Sequence, residues 1–426
     1  MLSPCEETSL TASDRKILLF DLEPKGHHSV YLRHLVQHWR QSSLPGQLHL
    51  ILSPGFVETH ADLIALASDG ERLQCSIVSE TEYAEWENAR SLLARSFIEW
   101  KLFCRYAKRL GGTQALLMYL DSLQLPLAIG EASPCPVSGI YFRPTFHYGQ
   151  FSNHQTSLKE KIRQWRQKAV LGRILQRPQF KTLFSLDRFA VPTIQQLNLA
   201  KSSSVQPLAD PVQIHHCDLA GIEPLRQQLQ ISSNRHVFLL FGELSDRKGV
   251  HQTLNALKLL PKEVEPSIAI VFAGPVDADS ESIHAEVEHL RQSTQLEIAL
   301  YDRYIKGNEV QQFFELADTV LALYQKHVGM SSILLHAAAA EKPVISTDYG
   351  LMGAITQKYQ LGWAIDSTNP AQIARSLSRA VDQSIACHQA SQQQFVAENQ
   401  VDQFVNALIA DFAPMDTFSQ ASTRYE

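Results

Sequence analysis

Short apolar runs rich in valine, isoleucine, leucine and phenylalanine recur along the whole chain, and longer segments with helical periodicity separate them. The predicted strands cover residues 16–21, 48–52, 75–78, 115–120, 137–142, 182–185, 236–241, 268–272, 297–301, 319–323, 344–346 and 363–365. Strands that alternate with helices form parallel sheets with right-handed crossovers. The chain therefore predicts an α/β protein with two doubly wound, Rossmann-like units in series.

A polar stretch interrupted by prolines divides the two sets of strands. A chain of 426 residues is too long for one ordinary core and suits two domains of about 200 residues each. Residues 200–211 are polar and contain Pro207 and Pro211, as linkers do. We predict an N-terminal domain over 1–205, a C-terminal domain over 206–385 and a helical segment over 386–426. Whether that last segment crosses back to the N-terminal domain is left open.

The composition narrows the class of protein. Hydrophobic residues make up 44% and charged residues 19% of the chain, as in ordinary globular proteins. The net charge of -6 gives no general affinity for nucleic acid, and no run approaches the roughly 18 apolar residues of a membrane span. The first residues lack the basic start and apolar core of a secretory signal. Six cysteines without Cys-x-x-Cys spacing indicate reduced thiols, so we expect a cytoplasmic protein.

Two turns in the second half of the chain have the features of anion sites. The strand at 236–241 leads through Gly242 and a polar turn to Lys248-Gly249 and a helix, and Gly329 precedes a helix start at Ser331-Ser332. Both place positive charge or free backbone N–H groups beside a possible anion, and two such sites predict a diphosphate. The alternatives are a solvated lysine at position 248 and simple helix capping by the two serines.

These motifs, taken together, resemble the donor domain of GT-B-fold glycosyltransferases, and in particular glycosyltransferase family 4. The resemblance covers about 235–385. It rests on Gly242, Lys248-Gly249, Leu254, Ala256-Leu257, Gly274, Ala317-Asp318-Thr319-Val320, Gly329, Pro343-Val344-Ile345, Gly350 and Gly362. It implies a GT-B arrangement with an interdomain cleft, in which a nucleotide-diphospho-sugar binds the second domain and an acceptor binds the first.

The resemblance also implies roles for individual residues. Lys248, helped by Arg247, would stabilise the departing diphosphate as charge develops on it. The expected donor contacts are Gly242, Lys248, Gly249, Gly274, Tyr304, Gly329, Ser331, Ser332 and His336. The expected reaction is hexosyl transfer with retention, which needs no cofactor and no metal ion.

Three positions depart from the family pattern. The arginine that commonly follows the first glycine is Glu243 here, and the family's two glutamates, eight positions apart, fall on Val328 and His336. Arg247 can neutralise Glu243, whereas the side chain of Val328 cannot hydrogen-bond a sugar hydroxyl. The alternative function is therefore a GT-B-like protein without transferase activity that binds a sugar nucleotide or serves as a partner subunit. A dinucleotide oxidoreductase is disfavoured because no Gly-x-Gly-x-x-Gly follows the first strand.

The acceptor side is predicted from residues that follow strands of the first half. His27 and His28 follow the first strand, and Arg143 and His147 follow the strand at 137–142, so they lie where open α/β sheets bind ligands. We list His27 and His147 as catalytic candidates and His28 and Arg143 as acceptor contacts. Asp121 is a weaker candidate. The alternative for each histidine, which is favoured for any one of them taken alone, is a structural role as a helix cap or as a partner of a neighbouring loop.

Residues 155–182 carry eight lysines and arginines against the single Glu160. Apolar residues between positions 158 and 175 recur at helical spacing. One interpretation is a solvated helix with its apolar face in the core. The other is a surface that docks on anionic lipid, as a peripheral membrane contact, or on an anionic acceptor. The expected acceptor is a carbohydrate or a lipid-linked molecule. No motif for reading nucleic acid accompanies the segment.

We expect no metal site. His215-His216-Cys217-Asp218 are adjacent residues, which rarely converge on one ion, and no Asp-x-Asp follows a strand.

Overall fold

The computed structural model describes residues 15–26, 28–68, 70–151, 157–198, 203–214, 219–276 and 280–412. Contacts divide the chain into two compact units. The first comprises residues 1–147, 157–211 and 401–426, and the second comprises residues 148–156 and 212–400.

The first unit is built on a parallel seven-stranded sheet with the order β3-β2-β1-β4-β5-β6-β7. The strands are β1 Lys16–Asp21, β2 Gln47–Leu52, β3 Leu73–Ile77, β4 Gln114–Leu117, β5 Val137–Tyr141, β6 Phe180–Ser185 and β7 Ser204–Pro207. Its helices are α1 His28–Gln41, α2 Pro54–Thr59, α3 Ala61–Ala67, α4 Glu80–Glu87, α5 Leu92–Leu110, α6 Leu120–Ile129, α7 Leu158–Leu175, α8 Val191–Leu197 and the C-terminal α17 Val401–Phe412.

Strand β1 shows why helices cover both faces of this sheet. Alternate side chains of a strand point to opposite faces. Leu18 and Phe20 belong to one apolar cluster, and Ile17 and Leu19 belong to another. Because both clusters are buried, the strand is apolar throughout, as is typical of doubly wound parallel sheets.

The second unit has a parallel six-stranded sheet with the order β10-β9-β8-β11-β12-β13. The strands are β8 His236–Phe241, β9 Ile268–Ala273, β10 Glu297–Tyr301, β11 Thr319–Ala322, β12 Val344–Thr347 and β13 Gly362–Ile365. Its helices are α9 Ile222–Gln228, α10 Val250–Leu257, α11 Ser280–Ser293, α12 Asn308–Leu316, α13 Ser332–Ala339, α14 Gly350–Lys358, α15 Pro370–Asp382 and α16 Gln389–Ala397. In both sheets all carboxyl ends of the strands lie along one edge.

The prediction of two Rossmann-like parallel-sheet units is confirmed. The linker prediction is wrong for Ser204–Pro207, which pairs with β6 as an edge strand. Edge strands have one unpaired side and tolerate polar residues and proline, so this one lacks an apolar pattern. Within the described residues no helix is both long and apolar enough to cross a bilayer.

Candidate functional site

Lys248 is buried at the carboxyl edge of the second sheet. Strand β8 ends at Phe241, and a 3-10 turn over Asp246–Lys248 leads through Gly249 into α10. This turn folds the lysine back, so that Nζ donates a hydrogen bond to the carbonyl of Phe241 at 2.8 Å. Nζ also lies 4.6 Å from the ring centroid of Tyr324, and Lys248 is only 7% exposed. The alternative of a solvated lysine therefore does not hold.

Among the residues that the structure describes, no carboxylate pairs with the ammonium of Lys248. Glu243 instead lies 3.9 Å from the guanidinium of Arg247, and both side chains are exposed. An ammonium has three N–H donors, and the Phe241 carbonyl takes one of them. Lys248 thus keeps a desolvated positive charge with donors left for an anion.

Two glycines bring the backbone close to this ammonium. Gly242 and Gly274 follow β8 and β9 with φ of +101° and +137°. A methyl group on Gly274 would lie 2.2 Å from the carbonyl oxygen of Gly242, and one on Gly242 would lie 2.8 Å from Nζ of Lys248. Only glycine fits both the positive φ and the close approach. The surface beside Lys248 is therefore formed by backbone.

The start of α13 is joined to Lys248 through Tyr324. The Tyr324 hydroxyl lies 2.5 Å from Oγ of Ser331, which also accepts the N–H of Ile333 at 3.3 Å and so caps the helix. The N–H of Ser332, the first helical residue, makes no hydrogen bond within the described part of the chain. Helix capping by Ser331 is present, and Tyr324 contacts both this helix N-terminus and the ammonium of Lys248.

Gly329 has an unexpected partner. Its φ is +102°, and a methyl group there would meet nothing within 4 Å. We expected a free N–H, but it donates to the hydroxyl of Tyr148 at 3.1 Å. The buried ring of Tyr148 also faces Gly350, where a methyl group would lie 2.7 Å from Cε2. A ligand at Gly329 would therefore meet the Tyr148 hydroxyl.

Sequence reasoning missed both of these tyrosines. Tyr324 directly follows the predicted strand 319–323, so its place at a strand end was available as a signal. Tyr148 had no such signal, because it belongs to a short segment of the second unit that lies, in sequence, among residues of the first.

Two of the predicted donor contacts, His336 and Tyr304, have other surroundings than Lys248. The ring of His336 stacks on Phe314 with centroids 5.1 Å apart, and its Nδ1 lies 3.5 Å from Oε1 of Gln311 on α12. Tyr304 follows β10 and is 74% exposed. Neither belongs to the set of contacts that joins Lys248, Tyr324 and Ser331.

The first sheet brings His28 and the Arg143 loop to its carboxyl edge. Nδ1 of His28 lies 2.6 Å from Oδ2 of Asp21, and its ring stacks on Phe142 at 5.8 Å. Burial lowers the pKa of His28, but the charge and hydrogen bond of Asp21 outweigh burial, so the net pKa is raised. Asp121 accepts the N–H groups of Phe142 and Arg143 at 2.8 and 3.0 Å. Burial raises the pKa of Asp121 to about 6.

His147, the remaining histidine candidate within the described residues, follows β5 and has an acidic partner. His147 is buried, with Nε2 3.0 Å from Oδ2 of Asp187, so a catalytic role for it stays a prediction that its burial does not favour. His27 and the sequence His215-His216-Cys217-Asp218 lie outside the described residues. Among the residues described, no three His, Cys, Asp or Glu side chains are placed to hold a metal ion. The expected absence of a metal stays a prediction.

Comparison with known proteins agrees with this architecture. Residues 221–395 match the model of the family described as Glycosyl transferases group 1. A putative glycosyltransferase of Bacillus subtilis, YtcC, is 26% identical over 150 residues, which are 34% of this chain and 37% of that protein. The chain thus spans little more than a third of this relative's length.

Solved structures resemble the chain over nearly its whole length. HepE of Anabaena in complex with UDP matches with a TM-score of 0.64 at 14% identity, covering 93% of this chain and 99% of HepE. The N-terminal domain of the Candida albicans trehalose-6-phosphate phosphatase matches with a TM-score of 0.63 at 12% identity, covering 96% and 98%. At such identities the likeness establishes the fold, which is the two-domain fold of GT-B glycosyltransferases.

Proposed function

We propose that this chain is a glycosyltransferase that takes a sugar from a nucleotide-diphospho-sugar. The observation that carries the proposal is the buried ammonium of Lys248, which has no carboxylate partner among the described residues and lies beside Gly242, Gly274 and the start of α13. The match of residues 221–395 to a glycosyltransferase family supports it, as do the UDP and UDP-glucose complexes of HepE.

Lys248 would act where the bond between the sugar and the diphosphate breaks. The leaving diphosphate gains negative charge in that step, and a fixed cation in a desolvated position stabilises this charge more than water would. The Tyr324 ring and the Phe241 carbonyl hold the ammonium in place before the donor binds. From the family resemblance we also propose that the donor sugar is a hexose, that its anomeric configuration is retained, and that transfer needs no metal ion.

The acceptor, a carbohydrate or a lipid-linked sugar, is proposed to bind the first unit near His28 and Arg143. His28 is held by Asp21, and the backbone of Arg143 is held by Asp121. Location in the cytoplasm belongs to the same proposal and agrees with the free thiols of Cys75, Cys104, Cys135 and Cys387. The predicted membrane contact through residues 155–182 involves a different surface and is treated separately below.

The test is a thermal-shift screen against UDP-, GDP- and ADP-sugars, followed by nucleotide release with a panel of acceptors. A donor at 100 times its Kd stabilises the protein by about 2.7 kcal/mol. Lys248→Met keeps the side-chain length and removes the charge, so we expect it to lower kcat by roughly 100- to 1000-fold. Lys258→Met is the matched control, because that lysine lies in the same unit and pairs with Glu286 on the surface.

The outcomes separate the two candidate functions. No shift with any donor would reject the donor site itself. A shift that depends on Lys248 without turnover on any acceptor would favour the alternative, a GT-B-like protein that binds a sugar nucleotide without transferring it. Val328 and His336, in place of the paired glutamates, are the observations in favour of that alternative.

A further inference from the structure

Helix α7 exposes an apolar stripe on the side opposite its buried face. Leu171, Ile174 and Leu175 are fully buried in the first unit. Leu158, Ile162 and Trp165, by contrast, are 78%, 68% and 71% exposed. Positions i, i+4 and i+7 lie on one side of a helix. The N-terminal half of α7 therefore presents a continuous apolar stripe to solvent.

Unpaired cations surround this stripe. The helix carries Lys159, Lys161, Arg163, Arg166, Lys168 and Arg173, and none of them forms an ion pair within the described residues. Its one acid, Glu160, accepts the N–H of Ser157 in a capping box at 2.8 Å. The helix thus has an excess of positive charge, and its cations have no ion-pair partner among the described residues.

The same side of α7 continues into a groove of about 360 Å³ beside α8, lined by Lys168, Ala169, Gly172, Arg173, Gln176, Gln196 and Leu197. Its two cations extend the positive surface toward the C-terminal half of the helix. The exposed surface therefore runs along most of the 18 residues of α7, a length of about 27 Å.

We propose that this surface docks the protein on an anionic lipid bilayer, with Leu158, Ile162 and Trp165 in the interfacial layer and the flanking cations on lipid phosphates. Amphipathic helices that lie in a membrane interface combine these two features. A protein partner would need carboxylates opposite each cation, whereas an anionic bilayer supplies negative charge on all sides of the stripe. The proposal does not depend on the glycosyltransferase activity.

Vesicle binding tests the proposal directly. We expect the full chain to co-sediment with vesicles of phosphatidylcholine and phosphatidylglycerol at 7:3, but not with phosphatidylcholine alone, and to dissociate as salt is raised. Trp165 provides a second measurement, because Trp39, Trp86 and Trp100 are buried and Trp363 packs against the core of the second unit. Its emission should shift to the blue on binding, and Trp165→Phe should bind without that shift.

Matched variants identify the surface. Each lysine or arginine near an anionic bilayer changes binding on the order of fivefold, so Lys161→Glu with Arg166→Glu should weaken it by at least 25-fold. Lys101→Glu with Lys108→Glu changes the net charge equally on the exposed side of α5 and should have little effect. Ile162→Gln with Trp165→Gln should also abolish binding, whereas Leu92→Gln with Ile129→Gln, at exposed positions elsewhere in the unit, should not.

The proposal would be overturned by no binding to the anionic vesicles, by equal binding to both kinds of vesicle, or by an equal effect of the two charge-reversal pairs. A wild-type dimer in light scattering that Ile162→Gln with Trp165→Gln converts to monomer would assign the stripe to self-association instead.

Discussion

Glu99 contributes to the pH dependence of the stability of the first unit, and Glu99→Gln should remove this contribution. Burial raises the pKa of Glu99 from 4.5 to about 7, although hydrogen bonds from Trp86 and Ser122 oppose the effect. These bonds run from Nε1 of Trp86 at 3.2 Å and from Oγ of Ser122 at 3.3 Å. Glutamine can keep both contacts, accepting from Trp86 and donating to Ser122, because a hydroxyl also accepts.

The size and sign of the effect follow from the pKa. A folded-state pKa above the unfolded value means that the folded protein binds more protons between pH 4.5 and 7, so stability falls as pH rises through this range. The full difference corresponds to about 3 kcal/mol above pH 7. Glu99→Gln should therefore match the wild type near pH 4.5 and exceed its free energy of unfolding by about 3 kcal/mol at pH 8.

Urea unfolding monitored by tryptophan fluorescence reports mainly on the first structural unit, which contains Glu99. Four tryptophans lie in that unit and one, Trp363, lies in the second; the four are Trp39, Trp86, Trp100 and Trp165. Glu85→Gln, at an exposed position of the neighbouring α4, is the control and should give parallel curves. A gap between Glu99→Gln and wild type that stays constant with pH, or that narrows as pH rises, would refute the assignment.

Three further predictions concern other parts of the fold. Asp21→Asn should lower the raised pKa of His28, which an NMR titration of the His28 ring protons measures. The variant should also lose stability that the wild type has below pH 6.5 and loses as the pH rises through the folded-state pKa of His28. An unchanged titration would contradict the pairing. Asp411→Ala should destabilise the first unit by about 3 kcal/mol in urea unfolding, because it leaves buried hydrogen-bond donors without an acceptor. These donors include the hydroxyls of Ser138 and Thr182, each 2.6 Å from the carboxylate. A change below about 0.5 kcal/mol would show that Asp411 of α17 does not stabilise the unit through these bonds. Gly274→Ala should lower Tm and weaken the donor-induced thermal shift, since its methyl group would displace the β8 loop beside Lys248; a wild-type response would show that the loops can move apart freely.

The fold could be predicted from the sequence where a strand is a continuous apolar run. Strands β8 and β10 were predicted with the bounds that the structure has, because both contain runs of apolar residues between polar turns. The prediction for 115–120 was too long, because Leu120 already begins α6 and its apolar side chain has the same pattern in either element. Edge strand β7 was missed. Helix α7 buries apolar residues in its C-terminal half and exposes others in its N-terminal half. Periodicity cannot separate a buried face from an exposed one of the same composition.

The proposed donor site shows why the contacts of a bound diphosphate are easier to predict than those of the attached sugar. Gly242, Lys248 and Gly249 lie close together in the sequence, and the roles proposed for them depend on backbone conformation and a single charge, both of which leave a local pattern in the sequence. The hydroxyl of Tyr148, by contrast, reaches Gly329 from a residue 181 positions away in the chain. Such a contact depends on the tertiary path of the backbone, so no spacing encodes it. The hydroxyl of Tyr148 accepts the N–H of Gly329 whatever residues stand at positions 328 and 336. Replacing Val328 or His336 with the glutamates of the family pattern should therefore not by itself restore the sugar contacts of that pattern.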